Sequence, residues 1–221
     1  MTFKVLRKDV CEANKDLVRR HLISLGMGCA SGIDRERGVV VVKPSAIPYA
    51  CLTPEDMLVV DLAGKVVEGA LTPAPDVAAH LYLYQEFKEV GGIVNVFGSH
   101  ATRFAQAERP IPCFGIIHAR FFKGEIPVTR ALRKPEIERN YERSLGSVIT
   151  ERFSRLDAME IPGVLVAHHG PFSWGKTVEE AVVHAAALEM IAELALGTMQ
   201  LSPQMAPISG ILSEKQFPVQ T

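Results

Sequence analysis

The 221-residue chain has no charge excess of either sign: 24 Lys and Arg stand against 25 Asp and Glu, a net charge of -1. That balance offers nothing to recruit nucleic acid or an anionic membrane. Its four cysteines, Cys11, Cys29, Cys51 and Cys113, form no Cys-x-x-Cys pair, which excludes a zinc knuckle and a disulfide framework. Nowhere do about 18 apolar residues run uninterrupted, and the opening Met1 to Asp9 lacks the apolar core of a secretion signal. There is no internal repeat, low-complexity tract or linker. What remains is 48% hydrophobic and 22% charged, the profile of a globular chain expected in the cytoplasm as one domain over residues 1–221. Its expected partners are a small molecule and other copies of itself, with no nucleic acid and no membrane.

Several elements are expected from periodicity. Leu6, Val10, Ala13, Leu17 and Leu25 mark an amphipathic first helix. Val39 to Val42 and Leu58 to Leu62 predict buried strands, and Thr53-Pro54-Glu55-Asp56 between them predicts a short capped helix. Ala63-Gly64-Lys65 turns the chain into Val66-Val67-Glu68. A helix carrying Val77, His80, Leu81, Tyr84 and Phe87 on one side precedes a strand from Ile93 to Phe97. Further strands are expected at Cys113 to Ala119 and Gly163 to Val166, separated by a charged helix from Lys134 to Phe153. Thr177-Val178-Glu179-Glu180 predicts a capping box opening a long helix to about Met199, apolar on more than one face. The proline-containing tail shows little regular period.

Six segments carry a resemblance. They are Asp34-Arg35-Glu36-Arg37-Gly38, Lys43-Pro44-Ser45, Val66-Val67-Glu68-Gly69, His100-Ala101-Thr102, Pro162 to Val166, and His169-Gly170-Pro171-Phe172-Ser173-Trp174-Gly175. In this order they resemble the class II aldolase/adducin family, in particular its L-ribulose-5-phosphate 4-epimerases, over nearly the whole chain to about residue 200. The resemblance implies an α/β three-layer fold with a central, mainly antiparallel sheet flanked by helices. It also implies a homotetramer with active sites between subunits, and a zinc ion that stabilises an enediolate during retro-aldol cleavage.

At the positions that matter, the chain departs from that pattern. Within Gly92-Ile93-Val94-Asn95-Val96-Phe97-Gly98-Ser99-His100, Asn95 and Phe97 stand where the family carries a His-x-His pair, whose imidazoles share one strand face. Phenylalanine coordinates nothing, and an amide carbonyl is a poor exchange for imidazole at zinc. Two ligand positions persist, Asp76 and His169, so no tightly bound cofactor is expected. Both residues can equally be read as helix caps or hydrogen-bonded relics.

The implied phosphate pocket is altered too. Cys29 replaces an asparagine, Ala46 a glycine, and Ala74 and Pro75 a serine pair. Lys43 and Ser45 remain as candidate anion ligands, although Lys43 can also be read as a solvated strand-end lysine. After His118-Ala119 the family's acid/base carboxylate is replaced by Arg120, which is always protonated and cannot act as a general base. Ile116 and Ile117 replace two threonines, and Glu214 to Thr221 contains no counterpart of the family's tyrosine.

The candidate site is therefore Asp76, Arg120 and His169 for chemistry, lined by Cys29, Lys43, Ser45, Asn95, Phe97, Ile116, Ile117 and His118. Arg120 is expected to pair with Asp76 or to clamp an anionic ligand. His80 and Tyr84 read as packing residues, Trp174 as a structural anchor, and Cys29 as a small buried thiol in preference to a nucleophile. Three functions stand open: a divergent enzyme acting on a carbonyl or carboxylate compound without tightly bound zinc, a non-catalytic member kept for binding or assembly, and a zinc-dependent epimerase.

Overall fold

The computed structural model describes residues 3–23 and 25–217. The readings of Met1, Thr2 and the last four residues fall outside them. Among the described residues, seven strands form one sheet in the order β4-β3-β2-β1-β5-β7-β6, and every neighbouring pair is antiparallel. They are β1 (Cys29–Asp34), β2 (Val39–Val42), β3 (Leu58–Asp61), β4 (Val66–Glu68), β5 (Gly92–Asn95), β6 (Gly163–Val166) and β7 (Gly170–Gly175). Seven α-helices accompany them: α1 (Lys4–Arg19), α2 (Val77–Glu86), α3 (Ser99–Gln106), α4 (Ile116–Phe121), α5 (Lys134–Arg152), α6 (Val178–Leu201) and α7 (Gly210–Gln216).

The period-two alternation of the strands divides the interior into two cores. Val40, Val42, Val60 and Ile93 face one side, where α2, α3 and α5 pack with Trp174 and Phe172. Val41, Val59 and Val94 face the other, against α1 and the first half of α6. Asn14 fixes α1 to the sheet: its amide donates to the Ala30 carbonyl at 3.0 Å and its Oδ1 accepts the Ala30 N–H at 3.0 Å. Helix α6 is apolar and long enough, by composition alone, to cross a bilayer, and here it spends Ala181, Val182, Leu188 and Ile191 on the two cores.

The start of α6 passes so close to β5 that only glycine fits beneath it. A Cβ on Gly92 would lie 2.4 Å from Val178 Cα and 2.5 Å from the Thr177 carbonyl oxygen. Because both obstacles are backbone, the helix must move for any side chain to enter. Gly92→Ala is expected to destabilise the protein by about 3 kcal/mol or more, read as a lower urea midpoint. A loss under about 1 kcal/mol would mean that α6 shifts freely.

Four sequence expectations are corrected. Cys113 to Ala119 is not a strand, because residues 116–121 form α4. The β-branched pair Ile116-Ile117 stays 45% and 41% exposed while His118, Ala119 and Phe122 are buried, a helical spacing that an alternating strand cannot produce. Thr53 to Asp56 closes as a turn, since the Asp56 carboxylate accepts both the N–H and the hydroxyl of Thr53 at 2.8 Å and Met57 then leads into β3. Helix α1 ends at Arg19, leaving Leu25 outside it and 96% exposed. The tail contains α7, which packs against α4, and the Ile208 N–H bonds to the Cys113 carbonyl at 2.9 Å. At the start of α6, Thr177 caps the Glu180 N–H at 3.1 Å, while the Glu180 carboxylate takes the Lys176 N–H at 2.5 Å.

Candidate active site

Strand register brings the first group of residues together. On β1, β5 and β7 the residues Cys29, Asn95 and Phe172 stand side by side, because Cys29 pairs with Asn95 and Asn95 with Phe172. Asn95 belongs to the face packed by α2, whose first turn follows Asp76. The Asn95 Nδ2 donates to Asp76 Oδ2 at 2.9 Å, which orients the amide. Its Oδ1 then faces His80 Nε2 at 3.1 Å and the Cys29 thiol at 3.4 Å. An amide oxygen only accepts, so the His80 proton sits on Nε2.

The chain of bonds continues inward. His80 Nδ1 meets the Ser31 hydroxyl at 2.8 Å, and the Tyr84 hydroxyl lies 3.0 Å from Ser31 Oγ and donates to the Ser31 carbonyl at 2.9 Å. In the neutral ring Nδ1 is the acceptor and Ser31 the donor. Burial favours that neutral form and pushes the His80 pKa well below the usual imidazole range, with the nearby Asp76 carboxylate opposing part of the shift. His80 and Tyr84, read from sequence as packing residues, are indeed completely buried, but they also carry this polar network. Their spacing from Asp76, four and eight residues along one helix face, was the signal available.

His169 occupies the outer edge. Its ring lies 5.0 Å from Phe97, 5.5 Å from Phe172 and 6.3 Å from Tyr141, measured between centroids. Burial lowers its pKa while Asp76 raises it, and its Nδ1 is buried without a hydrogen-bond partner among the described residues. Tyr141, which sequence reasoning missed, is held up above the usual phenol range by burial first and by Asp76 second. It sits immediately after Asn140, whose φ of -162° and ψ of 83° break α5, and no sequence period marks that break.

Asp76 does not cap α2 with its side chain, so the reading of it as a helix cap is not what the structure shows. Nor is Lys43 a solvated lysine. It is 5% exposed, donates from Nζ to the Pro44 carbonyl at 2.8 Å and lies 4.6 Å from the centre of the Tyr49 ring, with burial lowering its pKa. Ser45 is exposed and bonds through Oγ to the Thr72 carbonyl at 3.2 Å. The Cys29 thiol is pushed well up by burial, and Asp76 adds to that shift, so the sulfur stays protonated and makes a poor nucleophile.

A second group stands apart. Ile116, Ile117, His118 and Arg120 lie on α4, which packs against α6 and α7. Arg120 is exposed, and within one chain it forms no ion pair with Asp76, whose Oδ2 is taken by Asn95. The expected Arg120–Asp76 contact is therefore absent within the chain: α4 packs on α6 and α7 and leaves Arg120 exposed. The remaining histidines do not fill the gap. His100 Nδ1 lies 2.9 Å from Glu189 Oε1, a carboxylate that also accepts the N–H groups of His100 and Ala101 at the start of α3. His168 is exposed and lies 3.0 Å from Glu108. Among the described residues, no three His, Cys, Asp or Glu side chains gather where a metal ion could be held.

An antiparallel seven-stranded sheet with helices on both faces is the fold this chain shares with solved class II aldolases. Residues 8–196 match the family model described as the class II aldolase and adducin N-terminal domain, and the chain belongs to that family. It is 43% identical over 212 residues to L-ribulose-5-phosphate 4-epimerase UlaF of Salmonella paratyphi C (strain RKS4594), covering 96% of this chain and 93% of that protein. Among solved structures it is similar to an L-fuculose 1-phosphate aldolase, with a TM-score of 0.81, 21% identity and 97% of each chain covered. It is also similar to YgbL from Escherichia coli, titled a putative aldolase/epimerase/decarboxylase, with a TM-score of 0.74, 19% identity and 96% and 98% of the two chains covered.

Proposed function

We propose that this family member binds or converts a small carbonyl or carboxylate compound at the Asp76–Asn95–His169 cluster without a tightly held zinc ion. The observation that carries this reading is the engagement of Asn95: its Nδ2 donates to Asp76, and its Oδ1, the atom through which an amide would bind a metal, faces His80 and the Cys29 thiol. With the Phe97 ring tilted against that of His169 at 5.0 Å, Asp76 and His169 are the two family ligand positions that persist, and two ligands do not fill zinc's tetrahedral site. No step is therefore assigned to a metal.

The protein's own groups remain suited to a ligand. Asp76, His169 and Tyr141 are three titratable side chains around one edge, and the orphaned His169 Nδ1 is a hydrogen-bonding group waiting for a partner. His169 and Asp76 would handle protons, and Lys43 would hold an anionic end. We read Arg120 as a clamp supplied from an adjacent copy in a homotetramer, since it does not reach Asp76 in its own chain, and we place the protein in the cytoplasm.

The test is titration of chelator-treated protein with pyruvate and glycolate, followed by NMR at the His169 ring. Saturable shifts that weaken at least tenfold in Asp76→Asn and in Arg120→Ala are expected. Binding that appears only when zinc is added would contradict the reading. The closure of the Asn95 network also favours a non-catalytic member kept for ligand binding; turnover of any bound compound by the metal-stripped protein separates the two.

A further inference from the structure

Helix α5 is two helices joined end to end. Asn140 interrupts it with non-helical backbone, and its side-chain oxygen accepts the Arg143 N–H at 3.2 Å, the bond of a residue that caps the helix after it. The outer piece, residues 134–139, adds nothing to the cores: the buried residues of α5 are Leu145, Gly146, Val148 and Ile149, and Ile137 is 51% exposed. A segment with no buried side chain has little to lose by opening, which puts it at the low-stability end of the structure. The break also has room to turn, because Asn140 and Arg143 border a cavity of about 520 Å³ together with Leu81 and Gln85 of α2.

One residue fastens this piece. Apart from backbone bonds along the helix, its hydrogen bonds and ion pairs to the rest of the chain pass through Glu136 among the described residues. The Glu136 carboxylate accepts two bonds from the Arg130 guanidinium, at 2.8 and 2.7 Å, and Arg130 reaches on to Glu151 in the inner piece at 2.7 Å. Such a forked, two-bond pair is the strong form of a charged hydrogen bond. Arg130 first, and the Arg133 N–H next, hold the Glu136 carboxyl at about 2, so the latch is charged throughout the neutral range.

Tyr141 follows the break directly, is 37% exposed and precedes the first buried residue of α5, Leu145, so it has no core contact to hold it when the outer piece lifts. Its ring lies 6.3 Å from that of His169, whose buried Nδ1 has no hydrogen-bond partner among the described residues. We propose that residues 134–141 form a flap that turns on the break around Asn140 and is latched by Arg130 on Glu136, and that its opening lifts Tyr141 off His169 and admits ligand to the Asp76–His169 edge. The gate rests on the reading of that edge as a binding site, and the motion does not. Closed, the flap shields the edge from water; open, it exposes the His169 ring.

The experiment compares the full chain with Glu136→Gln, which keeps the shape of the side chain and removes the charge of the latch. Amides 137–141 are expected to exchange with solvent deuterium about fivefold faster in the variant, while residues 145–152 and the urea midpoint stay where they are. A merely structural role for Glu136 would move the midpoint as well. The His169 ring signal in NMR should shift toward its position in Tyr141→Ala, because an open flap withdraws the same ring. Pyruvate is the probe of the gate: its association and dissociation rates should rise together in Glu136→Gln, by about the same factor as the exchange, so that Kd changes by less than about twofold. Amides 137–141 as protected as 145–152 in the native chain, exchange unchanged in Glu136→Gln, or a His169 signal that stays in place overturns the flap. Unchanged pyruvate rates in a variant whose flap opens faster overturn the gate. If exchange and the His169 signal behave as expected but the native chain binds no pyruvate, the reading of this edge as a binding site fails and the gate with it, while the motion stands.

Discussion

The double substitution Asn95→His and Phe97→His is expected to raise zinc affinity by at least about a thousandfold. Structural zinc sites with four ligands contribute roughly 10–16 kcal/mol at neutral pH, so two restored imidazoles beside Asp76 and His169 correspond to about 5–8 kcal/mol. The substitution also cuts the two contacts that occupy the cluster. Asn95 no longer ties Asp76 Oδ2 to His80, and the Phe97 ring no longer lies 5.0 Å from the ring of His169. Either change alone leaves three donors and should gain much less than half of the effect, because the site is cooperative in geometry. Isothermal titration with zinc under chelator competition reads the affinities directly. If the double variant bound zinc no better than the native chain, the missing imidazoles would not be what keeps zinc out.

The second large effect is a loss of stability in mild acid. His80 and His118 are buried neutral, each held near a pKa of about 4 against the ordinary 6.5, mainly by desolvation. Between those values the unfolded chain takes up protons that the folded rings refuse. The unfolded state therefore binds more protons, and stability falls as the pH drops through this window. At pH 5 each ring contributes a loss of about 2 kcal/mol, so about 4 kcal/mol disappears between pH 7.5 and pH 5. His169 and His184 shift in the same direction and add to it. Carboxylates contribute little there, since their ordinary values lie at 4.5 or below. Urea unfolding at the two pH values measures the effect, and His118→Phe should remove about half of it. A pH-independent midpoint would show that these rings are not buried in the folded protein.

How much of this was legible in the sequence depends on whether the information is local. Val39 to Val42, Leu58 to Asp61 and Gly163 to Val166 are dense in β-branched or aliphatic residues, and each forms the strand expected. The family motifs, matched in order along the chain, carried the architecture. Strands β1 and β7 escaped because Gly32, Pro171 and Gly170 dilute any strand period, and their pairing with β5 is set by residues far away. Helix α4 escaped for the opposite reason. Ile116 and Ile117 favour a strand locally, and burial of His118, Ala119 and Phe122 against neighbouring elements overrides that preference.

The site divides in the same way. Asn95 and Phe97 could be placed by their motif frame, and the structure sets them beside Asp76 and His169 respectively. Arg120 could be placed in sequence but not in space: α4 directs it to solvent in its own chain. Ser31 and Tyr141 were invisible, the first because its partners lie 49 and 53 residues away, the second because a local break in α5 sets its direction.

The most direct measurement is the zinc content of the purified chain after dialysis against excess zinc, taken together with an assay for L-ribulose 5-phosphate epimerisation in the same buffer. A cluster closed by Asn95 predicts far less than one zinc per chain and no epimerisation. One zinc per chain accompanied by turnover would contradict it.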